Sequence, residues 1–156
     1  MSRDKNNFAV FILTNGRPDN VITYDTLKKS GYTGKTYFIV DNEDETVPRY
    51  IEKFGKENVI VFDKSAIAEQ IDVADTFAGK RAIVYARNAS WQIAKDLGLD
   101  YYCQLDDDYT TFLYRYVEND VICSTQIKSF DAIVQNMLNL LEVTGAYSVA
   151  MSQGGD

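Results

Sequence analysis

The chain has 156 residues, enough for one domain around a hydrophobic core and short for two, so a single domain over residues 1–156 is expected. With 46% hydrophobic and 25% charged residues, two prolines and nine glycines, the composition excludes a disordered or fibrous chain. Sixteen basic against 23 acidic residues leave a net charge of −7, which as a whole repels nucleic-acid phosphate, although a local basic groove stays compatible with it.

Histidine is absent, which excludes Ser-His-Asp and Cys-His catalysis and any histidine-ligated zinc within these residues. The two cysteines read as small hydrophobes, not as a disulfide framework or a metal site. No run approaches the roughly 18 apolar residues of a membrane span. The opening Met1-Ser2-Arg3-Asp4-Lys5-Asn6-Asn7 is polar with no apolar signal core behind it, so a cytoplasmic location without membrane attachment is expected.

Phe8 to Leu13 is a continuous apolar run that suits a strand buried on both faces, and it ends in the turn Thr14-Asn15-Gly16-Arg17-Pro18. Pro18 fits the first turn of a helix in which Val21, Tyr24 and Leu27 recur at helical spacing until Gly31. The order repeats: Lys35 to Val40 as a strand, 41–45 as an acidic loop, Val47 to Phe54 as a helix closed by Gly55, and Val59 to Phe62 as a third strand. Such alternation predicts a mainly parallel sheet covered by helices, with ligands beyond the carboxyl ends of the strands. Residues 63–80 lack clear periodicity and read as a long connection with one short helix. Arg81 to Leu97 is an amphipathic helix whose Ile83, Ala86, Ile93, Ala94 and Leu97 share the buried side, ended by Gly98.

Tyr101 to Leu105 follows as a fourth strand that runs into Asp106-Asp107-Asp108. Thr111 to Val117 reads as a further strand at the sheet edge, Ser129 to Val143 as an amphipathic helix, and Tyr147 to Met151 as the start of another strand. The end at Ser152-Gln153-Gly154-Gly155-Asp156, in loop chemistry directly after a strand, leads us to expect a further C-terminal part.

Consecutive aspartates at a buried strand end repel one another unless a cation, an Arg or Lys, or full solvation relieves them. If the extended geometry continues, Asp106 and Asp108 point to one side and Asp107 to the other, so the outer pair can face one hard cation such as Mg²⁺ or Mn²⁺. The competing reading is a solvated turn with helix-capping aspartates.

The Thr14-Asn15-Gly16-Arg17 loop, the second strand ending at Asp41, the helix with Ala86-Arg87-Asn88-Ala89, and Gln104-Leu105-Asp106-Asp107-Asp108 together resemble GT-A glycosyltransferases over residues 8–110. More narrowly, Arg17-Pro18, Thr23-Tyr24, Gly31-Tyr32, Phe62-Asp63-Lys64, Tyr85-Ala86-Arg87-Asn88 and Leu105-Asp106-Asp107-Asp108-Tyr109 resemble the TET-associated glycosyltransferases, found in phages and implicated in sugar transfer to oxidised pyrimidines in DNA. The resemblance implies an α/β, Rossmann-like GT-A nucleotide-diphospho-sugar transferase fold. It further implies Mn²⁺ or Mg²⁺ on Asp106 and Asp108, a donor diphosphate at the same D-x-D motif with Asp107 in the donor set, and a UDP-sugar as the favoured donor. It places Asp41 against the nucleoside and Arg87 with Asn88 near the donor; Thr14 and Arg17 complete the candidate donor set. The acceptor it implies is a hydroxymethylated pyrimidine in DNA, and a phage-encoded enzyme of this kind works in the host cytoplasm.

Each residue also has a plainer reading: Arg87 as a stabilising ion pair, Asp41 as part of a solvated loop, Arg17, Lys80 and Arg81 as solvated charges, and most of the eleven tyrosines as core or rim residues. Tyr109, beside the acidic run, is the candidate for substrate stacking. The family's frequent third metal ligand, a histidine, has no counterpart here, so water, Asp156 or further sequence must supply it. No residue marks itself as the base of an inverting reaction, and retention or inversion stays open. A sugar-1-phosphate nucleotidyltransferase is the second enzymatic reading, weakened because the loop after the first strand carries a single glycine. A non-catalytic binding domain of the same fold is the third.

Overall fold

The computed structural model describes residues 7–70 and 82–152. The chain forms two compact units, one comprising Met1–Thr26 with Gly34–Thr111 and the other Leu27–Thr33 with Phe112–Asp156.

The first unit is a sheet of parallel strands in the order β3-β2-β1-β4, with β1 at Phe8–Leu13, β2 at Lys35–Asp41, β3 at Val59–Phe62 and β4 at Tyr101–Asp106. It is the Rossmann-like α/β arrangement that the alternation of strands and helices predicts. β1 lies between β2 and β4, pairing Phe11 with both Tyr37 and Gln104. Its apolar run has no wet face because both faces are covered. On one face Ala9, Phe11 and Leu13 join Ile39, Phe62 and the Tyr85, Ala86, Ala89, Ile93 and Ala94 side of α4 (Ala82–Asp96). On the other, Phe38 stacks on Phe54 of α2 (Val47–Phe54) at 3.8 Å between ring centroids, and Tyr24 closes edge-on at 5.2 Å to Phe38. Fully burying a ring such as Phe11 or Phe38 is worth about 1.5–3 kcal/mol, so both faces of the sheet contribute to the stability of this unit. Leu97, expected on the buried side of α4, is instead exposed, because the helix ends at Asp96 and the chain turns away. A short helix α3 (Lys64–Ala68) opens the connection after β3, capped by the Asp63 carboxylate accepting from the Ala66 amide. Residues 71–80 of that connection, Lys80 included, lie outside the described residues, as do Arg81 and Asp156.

The second unit joins the end of α1 (Ile22–Lys29, of which Leu27 onward belongs here) to an antiparallel hairpin and a helix. The strand expected at the edge of the main sheet is β5 (Leu113–Glu118), and it pairs instead with β6 (Val121–Gln126), which the sequence reading missed. Asn119 and Asp120, both at positive φ, make the two-residue turn whose twist suits a hairpin. Helix α5 (Phe130–Thr144) follows, with Phe130 buried against Phe112 and Tyr32 at centroid distances of 4.8 and 5.8 Å. Asp131 holds Thr33 through the Thr33 amide at 3.0 Å and its hydroxyl at 2.7 Å. Residues 147–151, expected to begin a strand, pair with no described strand, and Tyr147 is fully exposed. Both cysteines are free thiols. Among the described residues no helix is long and apolar enough to cross a membrane.

Candidate functional site

The strand order places the loops after β1 and β4 side by side at the point where the chain changes direction across the sheet, the position at which open parallel sheets bind ligands. Among the described residues, every candidate of the sequence reading belongs to the first unit.

β4 ends at Asp106, and Asp107 and Asp108 enter a turn. Thr23 shapes that turn: its hydroxyl donates to the Asp106 carbonyl at 2.6 Å and accepts from the Tyr109 amide at 2.8 Å, while its amide donates to the Asp107 carbonyl at 3.1 Å. The three carboxylates therefore meet three environments. Asp106 is one-third exposed and accepts from the Arg87 guanidinium at 2.8 and 3.2 Å. Asp107 is only 2% exposed and accepts from the Thr14 hydroxyl at 2.7 Å and the Arg17 guanidinium at 2.8 Å. Asp108 is open to solvent.

The loop after β1 is held from several directions. Tyr50, fully buried on α2, shares a 2.8 Å hydrogen bond with the Thr14 hydroxyl and accepts from the Arg17 amide at 2.9 Å. Asp44 accepts from the Gly16 amide at 2.7 Å, and Asn15 donates to Asp41 at 2.7 Å. Asp41 is buried, takes the Glu43 amide at 3.0 Å and lies 3.8 Å from the Lys64 ammonium, which also bonds Glu43 at 3.0 Å.

The structure thus gathers Thr14, Arg17, Asp106, Asp107 and Arg87 at the β1 and β4 tips, and ties Asp41 to them through Asn15. The carboxylate of Asp41 carries internal partners and shapes the loops, and Glu43, half-exposed, is the open acid beside it. Asn88 stands apart from this network: its amide donates to the Val84 carbonyl one turn back along α4, at 2.9 Å. Three contributors escaped the sequence reading. Tyr50 sits in an amphipathic helix and reads there as ordinary core, whereas Thr23 and Lys64 lie in runs that carried the family resemblance but had no chemistry attached to them.

Tyr109 follows the acidic turn. Burial raises its phenol pKa, and the nearby Asp106 and Asp108 charges add to the effect while Arg87 opposes it, so the ring stays neutral and can stack or donate. Burial likewise holds the Tyr50 hydroxyl protonated, only partly offset by its bonds to Thr14 and the Arg17 backbone.

The extended backbone expected to turn Asp106 and Asp108 to one side stops at Asp106, because the chain turns there; for a metal, the two still offer hard oxygen donors close together in sequence at an accessible tip. Among the described residues no three or more Asp, Glu, Cys or His side chains are assembled to hold an ion. A pair of carboxylates, with remaining positions filled by phosphate and water, is the donor set that Mg²⁺ and Mn²⁺ accept with nucleotides, so the residues fit that class of ion.

No curated protein and no solved structure matches the chain. The sequence model of the TET-associated glycosyltransferases does, over residues 8–156, taking in both units and the whole of the site just described. The chain belongs to the TET-associated glycosyltransferase family.

Proposed function

We propose that this glycosyltransferase is a metal-dependent enzyme of the GT-A type that takes a nucleoside diphosphate sugar, UDP-linked by preference, and passes the sugar to a hydroxyl acceptor. A hydroxymethylated pyrimidine in DNA is the acceptor class the family resemblance implies. The observation that carries the reading is the clustering of three consecutive aspartates with two arginines at the switch point of the sheet: Arg87 pairs with the part-exposed Asp106, Arg17 with the buried Asp107, and Asp108 beside them is open to solvent. Carboxylates suit a divalent cation and guanidinium groups suit phosphate oxygens, and a metal-bound diphosphate asks for both.

In the reaction the bond between the sugar's anomeric carbon and the diphosphate oxygen breaks, and the diphosphate leaves with the electron pair. The acceptor oxygen forms the new bond to that carbon and loses its proton. Asp106 and Asp108 would hold the cation, which would supply charge stabilisation to the leaving diphosphate. Arg87 spends one nitrogen on Asp106 and keeps other N–H groups for phosphate oxygens. Arg17, held by Asp107, presents a half-exposed guanidinium from the neighbouring loop. Tyr109 offers a neutral ring beside the acidic turn for a sugar or a base.

Thermal unfolding with Mn²⁺ and UDP together tests the reading: a stabilisation that Asp108→Ala removes is the expected result. Release of UDP from a UDP-sugar supports transfer, whereas pyrophosphate-dependent formation of a nucleoside triphosphate points to nucleotidyl transfer. No stabilisation by any nucleoside diphosphate with either cation would reject the donor site.

A further inference from the structure

The bonds around the loop after β1 form a closed ring. Asp107, as a carboxylate, only accepts, so the single hydroxyl proton of Thr14 goes to it, at 2.7 Å. The 2.8 Å contact between Thr14 and Tyr50 must then use the proton of Tyr50, which leaves the phenol oxygen to accept the Arg17 amide at 2.9 Å. Asp107 closes the circuit by accepting the Arg17 guanidinium at 2.8 Å. The ring starts on the backbone of Arg17 and returns to its side chain, through three residues each 8% exposed or less. Each donor has one assigned acceptor, so the ring ties both the loop backbone and one nitrogen of the guanidinium to buried partners.

We propose that Tyr50 is a positioning residue for donor binding, acting through Thr14 and Asp107 to hold Arg17 where its free N–H groups meet the anionic diphosphate. The inference rests on the donor-site reading above. Tyr50 lies on α2, its hydroxyl is spent on the loop, and its ring is sealed in the core beside Phe54, at 6.3 Å between centroids, so its effect on a ligand passes through the ring. Burial keeps its proton in place, which preserves the direction of the chain of donors.

A double-mutant cycle on the whole chain tests this, with Mn²⁺–UDP affinity by calorimetry and amide hydrogen exchange as readouts. Tyr50→Phe keeps the ring and removes the hydroxyl. It is expected to speed exchange at the Arg17 amide, to leave the Phe11 amide in β1 unchanged, and to weaken binding about three- to tenfold. In an Arg17→Ala background the same substitution is expected to weaken binding no further, because the group it positions is gone. Thr14→Val cuts the ring one bond along and should behave alike, which keeps the test informative if Tyr50→Phe folds poorly. Additive losses, or unchanged affinity despite a faster Arg17 amide, would overturn the positioning role while leaving the donor site standing. Unchanged exchange at Arg17 would show that the ring does not hold the loop. Failure of the unaltered protein to bind Mn²⁺–UDP would instead remove the donor-site reading, and this inference with it.

Discussion

Asp107 and Asp108 are chemically identical neighbours, yet one is buried among hydrogen-bond donors and the other stands in water, so removing each must do different damage. Asp107→Ala leaves the Thr14 hydroxyl without its acceptor and Arg17 without its partner. The half-exposed guanidinium can rehydrate, so the expected loss is about 1–3 kcal/mol of unfolding free energy, read from denaturant midpoints. Asp108→Ala should change stability by less than about 0.5 kcal/mol and still abolish stabilisation by Mn²⁺ with UDP. Equal stability losses would contradict the burial difference. The acidic run was legible as a cluster, but the division of labour inside it was not, because the alternation argument assumed a strand through residue 108 and Thr23 pulls the backbone into a turn after Asp106. Cys103 on β4 gives a second residue-scale expectation. Burial pushes its thiol from the ordinary 9.0 up to about 11. The unfolded chain releases this proton first, so the thiol contributes fully below pH 9 and that stability is lost as pH rises from 9 through 11. Relative to Cys103→Ala, the unaltered protein should lose up to about 1.4 kcal/mol per pH unit across that window. Alkylation at pH 8 should also be slower at Cys103 than in the unfolded chain.

At the scale of elements, the turn between α1 and Thr33 depends on one close approach. Gly31 has φ of +79°, and a Cβ placed there would sit 2.3 Å from the Lys128 carbonyl oxygen. Gly16 in the β1 loop has φ of +68° and open space around it. Alanine at either position meets left-handed strain of about 1–2 kcal/mol, and at Gly31 a backbone collision adds about 1–3 kcal/mol. Chemical denaturation should therefore rank Gly31→Ala well below Gly16→Ala in stability; the reverse order would mean that the second unit yields easily at this contact. The same contrast explains which elements the sequence revealed. β1 and β2 were readable because burial on both faces leaves an apolar run, and α2 because Gly55 marks its end. Of the β5–β6 hairpin only the first strand was read, and β6 with its pairing was missed, since Val117 and Ile122 on one face and Tyr114 and Val121 on the other are all exposed and apolar, which erases the alternation that marks a half-buried face. Its turn signal, Asn119-Asp120, was present but lacks the glycine that makes such turns conspicuous.

For the whole molecule, charge decides how a diphosphate can arrive. The chain carries −7, and the strand tips of the first unit repeat the imbalance: Asp41, Glu43, Asp44, Asp106, Asp107 and Asp108 face only Arg17, Lys64 and Arg87 among the described residues. Each of those cations is already paired with a carboxylate, so a free nucleotide meets a field that rejects it, at separations within the roughly 8 Å screening length of physiological salt. A divalent ion, if held by Asp106 and Asp108, would offset most of that excess of negative charge and offer the diphosphate a cation not already paired. UDP alone should therefore leave the melting temperature unchanged, UDP with Mn²⁺ should raise it by about 3–6 °C at tenfold excess over the dissociation constant, and EDTA should return it to the starting value. A basic phosphate site would behave in the opposite way, binding UDP without metal, ignoring EDTA and weakening steeply with added salt. Persistence of the shift in EDTA would place the affinity in Arg17, Lys64 and Arg87 and deny the aspartates a metal role. Its disappearance, together with its loss in Asp108→Ala, would tie the donor to the carboxylates at the end of β4.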